Sequence, residues 1–272
     1  METRKKMMTT TSTPARLHSF GPINFVFLVA GVALIITSFN AIEFDIIAIL
    51  EGGPRLERLL GQMWPLNVGA IPRLLEQLWI TFLMAICGTS LGIVISLPLV
   101  LFAARNLTPH PIVRFFVRGF ISFCRTVPDL IWALIFVIVV GLGPIAGALA
   151  IMMDSIGFLG KFFSEASEEQ DVGPQEAIKA MGGSRLDVAI SVVLPSVMPS
   201  FTSDALFAME KAVRASVILG LVGAGGIGME LKVAMDLFQY ETAAMIILLI
   251  FCLVVSVEQV SNRLRGIIIG GQ

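Results

Sequence analysis

Long stretches without a charged residue alternate with shorter polar segments along this chain. No charge occurs in the 26 residues between Arg16 and Glu43, which predicts a first membrane helix at residues 21–42 because about 20 apolar residues cross a bilayer. Further uncharged stretches cover residues 77–104, 130–153 and 242–257. The pattern predicts an all-α protein that crosses a membrane several times.

Two weaker candidates for spans, residues 144–166 and 201–223, contain charged side chains. A membrane helix tolerates such charges where they face the interior of a helix bundle or an aqueous path. With these two helices the chain is predicted to have six transmembrane helices. An even number of spans places both termini on the same side of the membrane.

The positions of lysine and arginine indicate which side that is. If the termini are cytoplasmic, four of the nineteen positive charges lie outside and three lie within spans. The other twelve lie inside or at inner helix ends, namely Arg4, Lys5, Lys6, Arg16, Arg105, Arg114, Arg118, Lys161, Lys179, Arg185, Arg263 and Arg265. Because cytoplasmic loops carry the excess of positive charge, both termini and the polar segment 171–195 are predicted to be cytoplasmic.

These assignments divide the chain into a membrane core and short flanking parts. The predicted parts are a cytoplasmic tail 1–20, the first transmembrane helix 21–42, an extracytoplasmic loop 43–75, a core 76–266 and a C-terminal tail 267–272.

Composition supports a lipid environment and excludes several functions. Hydrophobic residues make up 56% of the chain and charged residues only 14%, against about 25% in soluble domains. The net charge is −1 and no basic block is present, so a nucleic-acid partner is not expected. The three cysteines and two histidines lie apart from one another, so no metal site is predicted.

A short amphipathic helix is predicted in the polar segment. Pro174 suits its first turn, where a missing N–H group costs nothing. Gly182 and Gly183 are expected to supply the left-handed turn that ends it. Ser184, followed three residues later by Asp187, is typical of a cap on the next helix.

The chain then returns to apolar sequence through Pro195 and Pro199, which are expected to bend or break it as it re-enters the bilayer. The small side chains of Ala177 and Ala180, together with Met181, allow a neighbouring protein to approach closely. The residues alone leave two alternatives open, a connector on the lipid surface or a docking helix.

The spacing of Glu176-Ala177, Gly182 and Leu194-Pro195 resembles the cytoplasmic coupling loop of ABC importer permeases. Ile178 and Val192 differ from the alanine and isoleucine usual in that motif. The resemblance implies that the loop inserts into a groove of an ATPase subunit and transmits its closure to the spans. The residues implied in this contact are Pro174, Gln175, Glu176, Ala177, Ala180, Met181, Gly182, Leu194 and Pro195.

Four further segments extend the resemblance, namely VGLGPIAG at 140–147, LGKFFSE at 159–165, VLPSVMP at 193–199 and VGAGGIG at 222–228. With the loop, they resemble the phosphonate ABC transporter permease. That family implies a type I importer fold, two permease copies as a homodimer, two ATP-binding subunits and an extracytoplasmic phosphonate-binding protein. The chain has no GxxxxGK[ST] motif, so ATP and Mg are expected to bind the partner ATPase and the chain is not expected to be an enzyme.

Other cargoes and another mechanism stay open at this point. The family that this chain resembles has relatives that move phosphite, phosphate or another small solute. The resemblance therefore specifies the importer mechanism more closely than the cargo. An ion-coupled secondary transporter would be expected to contain inverted repeats, and no internal symmetry is visible in the sequence.

Charged residues within the predicted spans are candidates for the translocation path. Glu210 and Arg214 are four residues apart, so they share a helix face, and Lys211 is their neighbour. Either the two cations attract an oxyanion, or Glu210 and Arg214 form an internal ion pair. Arg125 and Asp129, also four apart, invite the same two hypotheses, with a structural pair favoured.

Residues 223–228 satisfy the G-x-G-x-x-G pattern of dinucleotide sites, but a hydrophobic helix precedes them where that site needs a strand. Gly223, Gly225, Gly226 and Gly228 are instead predicted to allow a sharp turn and close packing at the outer mouth of the path.

Overall fold

A computed structural model describes residues 22–269 of the protein. These residues are almost entirely helical, and no β-strand occurs among them. The chain divides into two compact units, Met1–Arg58 and Leu59–Gln272. The predicted N-terminal tail and residues 270–272 of the predicted C-terminal tail lie outside the described residues.

The first unit contains a long apolar helix followed by short ones. Helix α1 is Pro22–Ala41, α2 is Ile46–Glu51 and α3, which crosses the unit boundary, is Gly53–Gln62. Most of the predicted extracytoplasmic loop 43–75 is helical, which the sequence analysis did not predict. Pro54 in the first turn of α3 and the leucine spacing that follows favour this helix.

The second unit is a helical bundle. Its helices are α4 (Ile71–Ala103), α5 (Pro111–Thr126), α6 (Asp129–Val140), α7 (Pro144–Glu168), α8 (Val172–Ala180), α9 (Arg185–Val188), α10 (Leu194–Leu219), α11 (Gly226–Asp236) and α12 (Tyr240–Ile269). A 3-10 helix, Val68–Ala70, precedes α4, and π-helices Ala189–Val193 and Gly220–Ala224 flank α10.

Among the described residues, α1, α4, α7 and α12 are each long and apolar enough to cross a membrane. Two bent pairs raise the number of candidate spans to six, in agreement with the predicted total. Helix α5 meets α6 at 93°, and the helical stretch through α10 meets α11 at 59°.

The uncharged stretch 130–153 is not one span, contrary to the sequence prediction. Helix α6 ends at Val140 and α7 begins at Pro144, with Gly141 at φ +96° and Gly143 at φ +140° between them. These left-handed values suit glycine, which has no Cβ. Helix α5, which the sequence analysis did not identify, precedes α6 and completes that bent pair.

The bundle has two distinct ends. Residues 104–110 and 169–187 form what we call the polar end, and residues 141–143 and 220–226 form the glycine end. Helix α7 runs between them and is the most buried of the long apolar helices. Helices α4, α5, α6 and α10 all pack against α7.

Small residues allow these helices to approach closely. A Cβ atom on Gly88 of α4 would lie 2.6 Å from the carbonyl oxygen of Ala148 in α7. A Cβ atom on Gly157 of α7 would lie 2.5 Å from the backbone nitrogen of Arg125 in α5. Such contacts are typical of helices that pack within a membrane, where dispersion forces favour close backbone approach.

Candidate functional site

Helix α8 begins and ends as its sequence predicts. The Asp171 carboxylate accepts a hydrogen bond from the Gly173 amide at 3.1 Å and caps the first turn, which also contains Pro174. At the other end Gly182 adopts φ +85°, and the Gly183 amide donates to the Ile178 carbonyl at 3.0 Å. Gly182 is therefore the residue that reverses the chain after α8.

The predicted cap on the next helix is also confirmed. The Asp187 amide donates to Ser184 Oγ at 3.3 Å, and the Ser184 amide donates to Asp187 Oδ2 at 2.7 Å. These reciprocal bonds form a capping box at the start of α9. Together, the turn and the box fix the geometry between α8 and α9.

Of the two predicted effects of Pro195 and Pro199, a bend or a break, the structure excludes the break. The chain stays helical from α9 into α10, where Pro195 lies in the first turn and Pro199 lies inside the helix. A proline lacks an N–H donor and its ring crowds the preceding turn. The π-helix Ala189–Val193 just before Pro195 widens the backbone at the point where this strain arises.

Most of the predicted coupling residues form one exposed surface on α8 and its C-terminal turn. Its members are Pro174, Glu176, Ala177, Ala180, Met181 and Gly182. Met181 is 75% exposed, which is unusual for a large apolar side chain outside a lipid-facing helix. We call these six residues the α8 surface.

Three predicted coupling residues lie elsewhere. Gln175 is only 2% exposed and faces the bundle. Leu194 and Pro195 belong to the start of α10, and Leu194 lines an apolar groove with Leu97 and Val193. The resemblance to the coupling loop placed these residues in one set, but the helix periodicity and the intervening α9 separate them.

Gln175 joins α8 to the rest of the polar end. Its side-chain oxygen accepts a hydrogen bond from Asn106 Nδ2 at 3.3 Å, and its Nε2 donates to the Asp171 carbonyl at 3.2 Å. Asn106 Nδ2 also donates to the Ser167 carbonyl at the end of α7, at 2.9 Å. Arg185 in α9 adds a second link, to the Thr108 carbonyl at 2.7 Å.

Replacing Gln175 with leucine is expected to loosen α8 from the bundle without unfolding it. The leucine keeps the buried volume but removes both side-chain hydrogen bonds, each worth about 0.5–1.5 kcal/mol. We expect amide hydrogen exchange in residues 172–183 to accelerate about tenfold, since 1.4 kcal/mol corresponds to a factor of ten. Lys179→Gln, an exposed change on the same helix, is the control, and equal exchange rates in the two variants would contradict the link.

Glu168 at the end of α7 holds the other elements of the polar end together. Its Oε1 accepts from the Arg105 amide at 2.6 Å, from Arg118 at 2.9 Å and from Arg114 at 3.3 Å. Arg118 also donates to the Ala103 carbonyl at 3.1 Å. No sequence motif indicates the roles of Glu168 and Asn106, because their partners are distant in sequence.

Glu210 is paired with two arginines inside the bundle. It is 8% exposed and accepts from Arg214 at 3.1 Å and from Arg265 of α12 at 2.7 Å. Arg265 also donates to Ser261 Oγ at 2.8 Å. The structure therefore favours the internal ion pair over a substrate contact for Arg214, and it adds a third member.

Lys211 does not join this cluster. Its Nζ lies 2.7 Å from Asp154 Oδ1 of α7 and 5.5 Å from the centre of the Phe158 ring. The pair accounts for two charges inside predicted spans and joins α10 to α7. Lys211 and Arg214 thus serve separate ion pairs instead of converging on one point.

The predicted Arg125–Asp129 pair is wrong. No ion pair joins these two described residues, because α5 ends at Thr126 and the next helix turns away by 93°. Asp129 Oδ1 instead accepts from the Leu130 amide at 3.1 Å at the start of α6. Arg125 lines a cleft between α5 and α7.

The glycine end shows the predicted sharp turn and close packing. Gly223, Gly225 and Gly226 adopt φ values of +100°, +78° and +71°. The Gly143 amide donates to the Gly223 carbonyl at 3.0 Å, which joins the two glycine turns. A Cβ atom on Gly228 would collide with the Val217 carbonyl. The location of these glycines at the outer mouth of the path stays a prediction.

Sequence comparison identifies the protein family to which this bundle belongs. Residues 96–266, more than half of the chain, match the family described as binding-protein-dependent transport system inner membrane component. The chain belongs to this family. It is thus the multi-pass inner-membrane permease of an ABC importer and not an enzyme, as the sequence analysis predicted. ATPase partners and a binding protein are implied by the same family.

Relatives of known name agree with this assignment. The permease is 38% identical over 240 residues to phosphite transport system permease protein PtxC of Stutzerimonas stutzeri, covering 88% of this chain and 87% of that one. It is 38% identical over 234 residues to phosphate-import permease protein PhnE of Mycolicibacterium smegmatis. That match covers 86% of this chain but only 44% of the relative.

The fold of the permease matches a solved importer. An inward-facing structure of the MetNI methionine ABC transporter superposes with a TM-score of 0.65 and 22% identity. The match covers 75% of this chain and 99% of that one. The type I importer permease fold predicted from the sequence is therefore confirmed.

Proposed function

We propose that this permease imports a phosphonate, or a related phosphorus oxyanion such as phosphite or phosphate, by ATP-driven alternating access. The observation that carries the proposal is the 38% identity, over 88% of the chain, to a permease named for phosphite transport. The similar identity to a permease named for phosphate import supports the same class of cargo. The two names share a tetrahedral phosphorus oxyanion.

We further propose the assembly in which the permease works. Two copies form a homodimer, two ATP-binding subunits hold ATP and Mg, and a phosphonate-binding protein docks from outside. The polar end and both termini are cytoplasmic in this arrangement. Supporting this orientation, Arg105, Arg114, Arg118, Lys179 and Arg185 all lie at or near the polar end.

In this mechanism the α8 surface is the contact with the ATPase. Its small and apolar side chains are exposed, and Glu176 adds a charge that a partner groove can recognise. Closure of the ATPase dimer upon ATP binding draws the two α8 helices together. Gln175 and Arg185 then transmit the displacement to the helices of the bundle through their hydrogen bonds.

Growth of a deletion strain on a single phosphorus source tests the cargo. We expect the strain to fail on methylphosphonate, phosphite or phosphate, and the wild-type gene to restore growth on the same source. Proteoliposomes that contain the permease, its ATPase and its binding protein are then expected to accumulate that anion only with ATP and Mg.

Two results would contradict the proposal. Unchanged growth on all three sources, with no uptake of any of them by the purified complex, would exclude the phosphorus oxyanions as cargo. Uptake driven by an ion gradient in the absence of ATP would instead identify a secondary transporter. Omission of the binding protein is the control for leakage.

A further inference from the structure

A basic cleft of about 310 Å³ lies between α5 and α7. Its polar lining consists of three cations, one carboxylate and three hydroxyl groups, namely Arg118, Arg125, Lys161, Glu165, Ser122, Thr126 and Ser164. The lining therefore has a net positive charge. The role proposed above for the α8 surface does not involve this cleft.

Two of the cations already have partners. Arg118 donates to Glu168 and to the Ala103 carbonyl, and Lys161 lies 3.5 Å from Glu165. Arg125 has neither an ion pair nor a side-chain hydrogen bond within residues 22–269. Its exposed guanidinium therefore keeps all five N–H donors available.

Arg125 lies deeper in the bundle than the ion pairs of the polar end. Its backbone packs against Gly157, near the middle of α7, whereas Arg118 bonds to Glu168 at the end of α7. Charged side chains at this level of a membrane bundle face its interior or an aqueous path and are typical of functional positions. The exposed guanidinium of Arg125 is therefore available to an anion that the protein itself does not provide.

We propose that this cleft binds a tetrahedral phosphorus oxyanion and that Arg125 is its principal ligand. The planar guanidinium fork matches two oxygens of such a group. Ser122 is three residues away on the same helix face and its hydroxyl has no partner among the described residues, so it supplies a further donor. Glu165 does not oppose the anion strongly, because Lys161 neutralises it.

Two sources contain this chemical group, the cargo and the phosphodiester of an anionic phospholipid. Binding of cargo in the cleft rests on the proposed function, whereas binding of a lipid does not. The experiment therefore has one arm for each source. Both use the complete complex with its ATPase, in wild-type form and as Arg125→Gln, Arg125→Lys and Ser122→Ala.

The lipid arm measures phosphatidylglycerol retained by the complex after purification from vesicles of phosphatidylethanolamine and phosphatidylglycerol. The cargo arm measures ATP-driven uptake of phosphate and methylphosphonate in vesicles of phosphatidylethanolamine alone. We expect Arg125→Gln to lower one of these quantities about tenfold, since a charged hydrogen bond is lost. For the control Arg263→Gln, ATP hydrolysis stimulated by the binding protein is expected to change less than about twofold.

The matched control is Arg263→Gln, an exposed arginine on α12 outside the cleft. Arg125→Lys is expected to recover part of the loss, because it keeps the charge but not the fork. If Arg125→Gln does not assemble, Ser122→Ala replaces it in both arms. The retained lipid or the uptake is then expected to fall about threefold.

A loss in either arm supports the proposal and identifies the source of the anion. Wild-type values for every cleft variant in both arms would overturn it. If the wild-type complex transports no phosphorus anion, the proposed function fails, and the lipid arm alone decides whether the cleft binds a phosphodiester.

Discussion

Gly182→Val is expected to abolish ATP-driven uptake while the permease still inserts into the membrane. Gly182 adopts φ +85°, a conformation that costs an L-residue about 1–2 kcal/mol and a β-branched one more. No atom lies within 4 Å of the position that its Cβ would occupy, so the effect acts through the backbone and not through a collision. We expect the turn to shift, the α8 surface to lose its orientation, and uptake in vesicles to fall at least tenfold.

Two control variants separate this cause from general damage. Gly182→Asn is expected to retain most uptake, because asparagine tolerates the left-handed conformation. Gly119→Val places the same side chain at an exposed helical position of α5 where a Cβ also meets nothing, and it should transport normally. Uptake by Gly182→Val at the wild-type rate would disprove the role of this turn in coupling.

Glu210→Ala is expected to destabilise the bundle by about 1–3 kcal/mol, because it leaves the half-buried Arg265 and the more exposed Arg214 without their carboxylate. Arg214 lies on the same helix, but Arg265 joins α10 to α12, so the loss affects tertiary packing. Thermal unfolding of the purified permease in detergent measures the effect. Its midpoint is expected to fall clearly below that of Glu258→Ala, an exposed carboxylate of α12.

A combined variant tests whether the unpaired charges cause the loss. Glu210→Leu together with Arg214→Met and Arg265→Met removes every charge of the cluster while keeping apolar volume. It is expected to recover most of the stability, since an ion cluster replaced as a whole costs little. A midpoint for Glu210→Ala equal to that of Glu258→Ala would show that the cluster is not structural.

Charge-free stretches predicted that α1, α4 and α12 exist, because a membrane helix needs a long apolar run. The same criterion failed at residues 130–153, since Gly141 and Gly143 end a helix without introducing a charge. It also missed α5, where Arg114, Arg118 and Arg125 interrupt the apolar pattern although the helix packs against α7. A count of charges therefore does not detect a helix break that glycine causes. It also rejects a bundle helix that is rich in arginine.

Local chemistry also predicted the caps around α8, because Gly182, Ser184 and Asp187 act on the backbone within three residues. The sequence could not predict that the Gln175 side chain faces the bundle, because its hydrogen-bond partner Asn106 is 69 residues away in the chain. The Glu210–Arg214 pair follows from helix spacing, whereas Arg265 reaches the same carboxylate from another helix. Contacts between elements therefore limit what the sequence shows about the site.

The hydrogen bonds of Glu168 determine which helices are expected to move together during transport. The Glu168 carboxylate binds the Arg105 amide just after α4 and the Arg114 and Arg118 side chains of α5. One side chain at the end of α7 therefore links α4, α5 and α7. The ion pairs of α10 among the described residues involve Glu210, Lys211 and Arg214, far from its start, where a π-helix and two prolines lie instead. We therefore expect a displacement of α8 to move α4, α5 and α7 together, and the helix to bend at the start of α10.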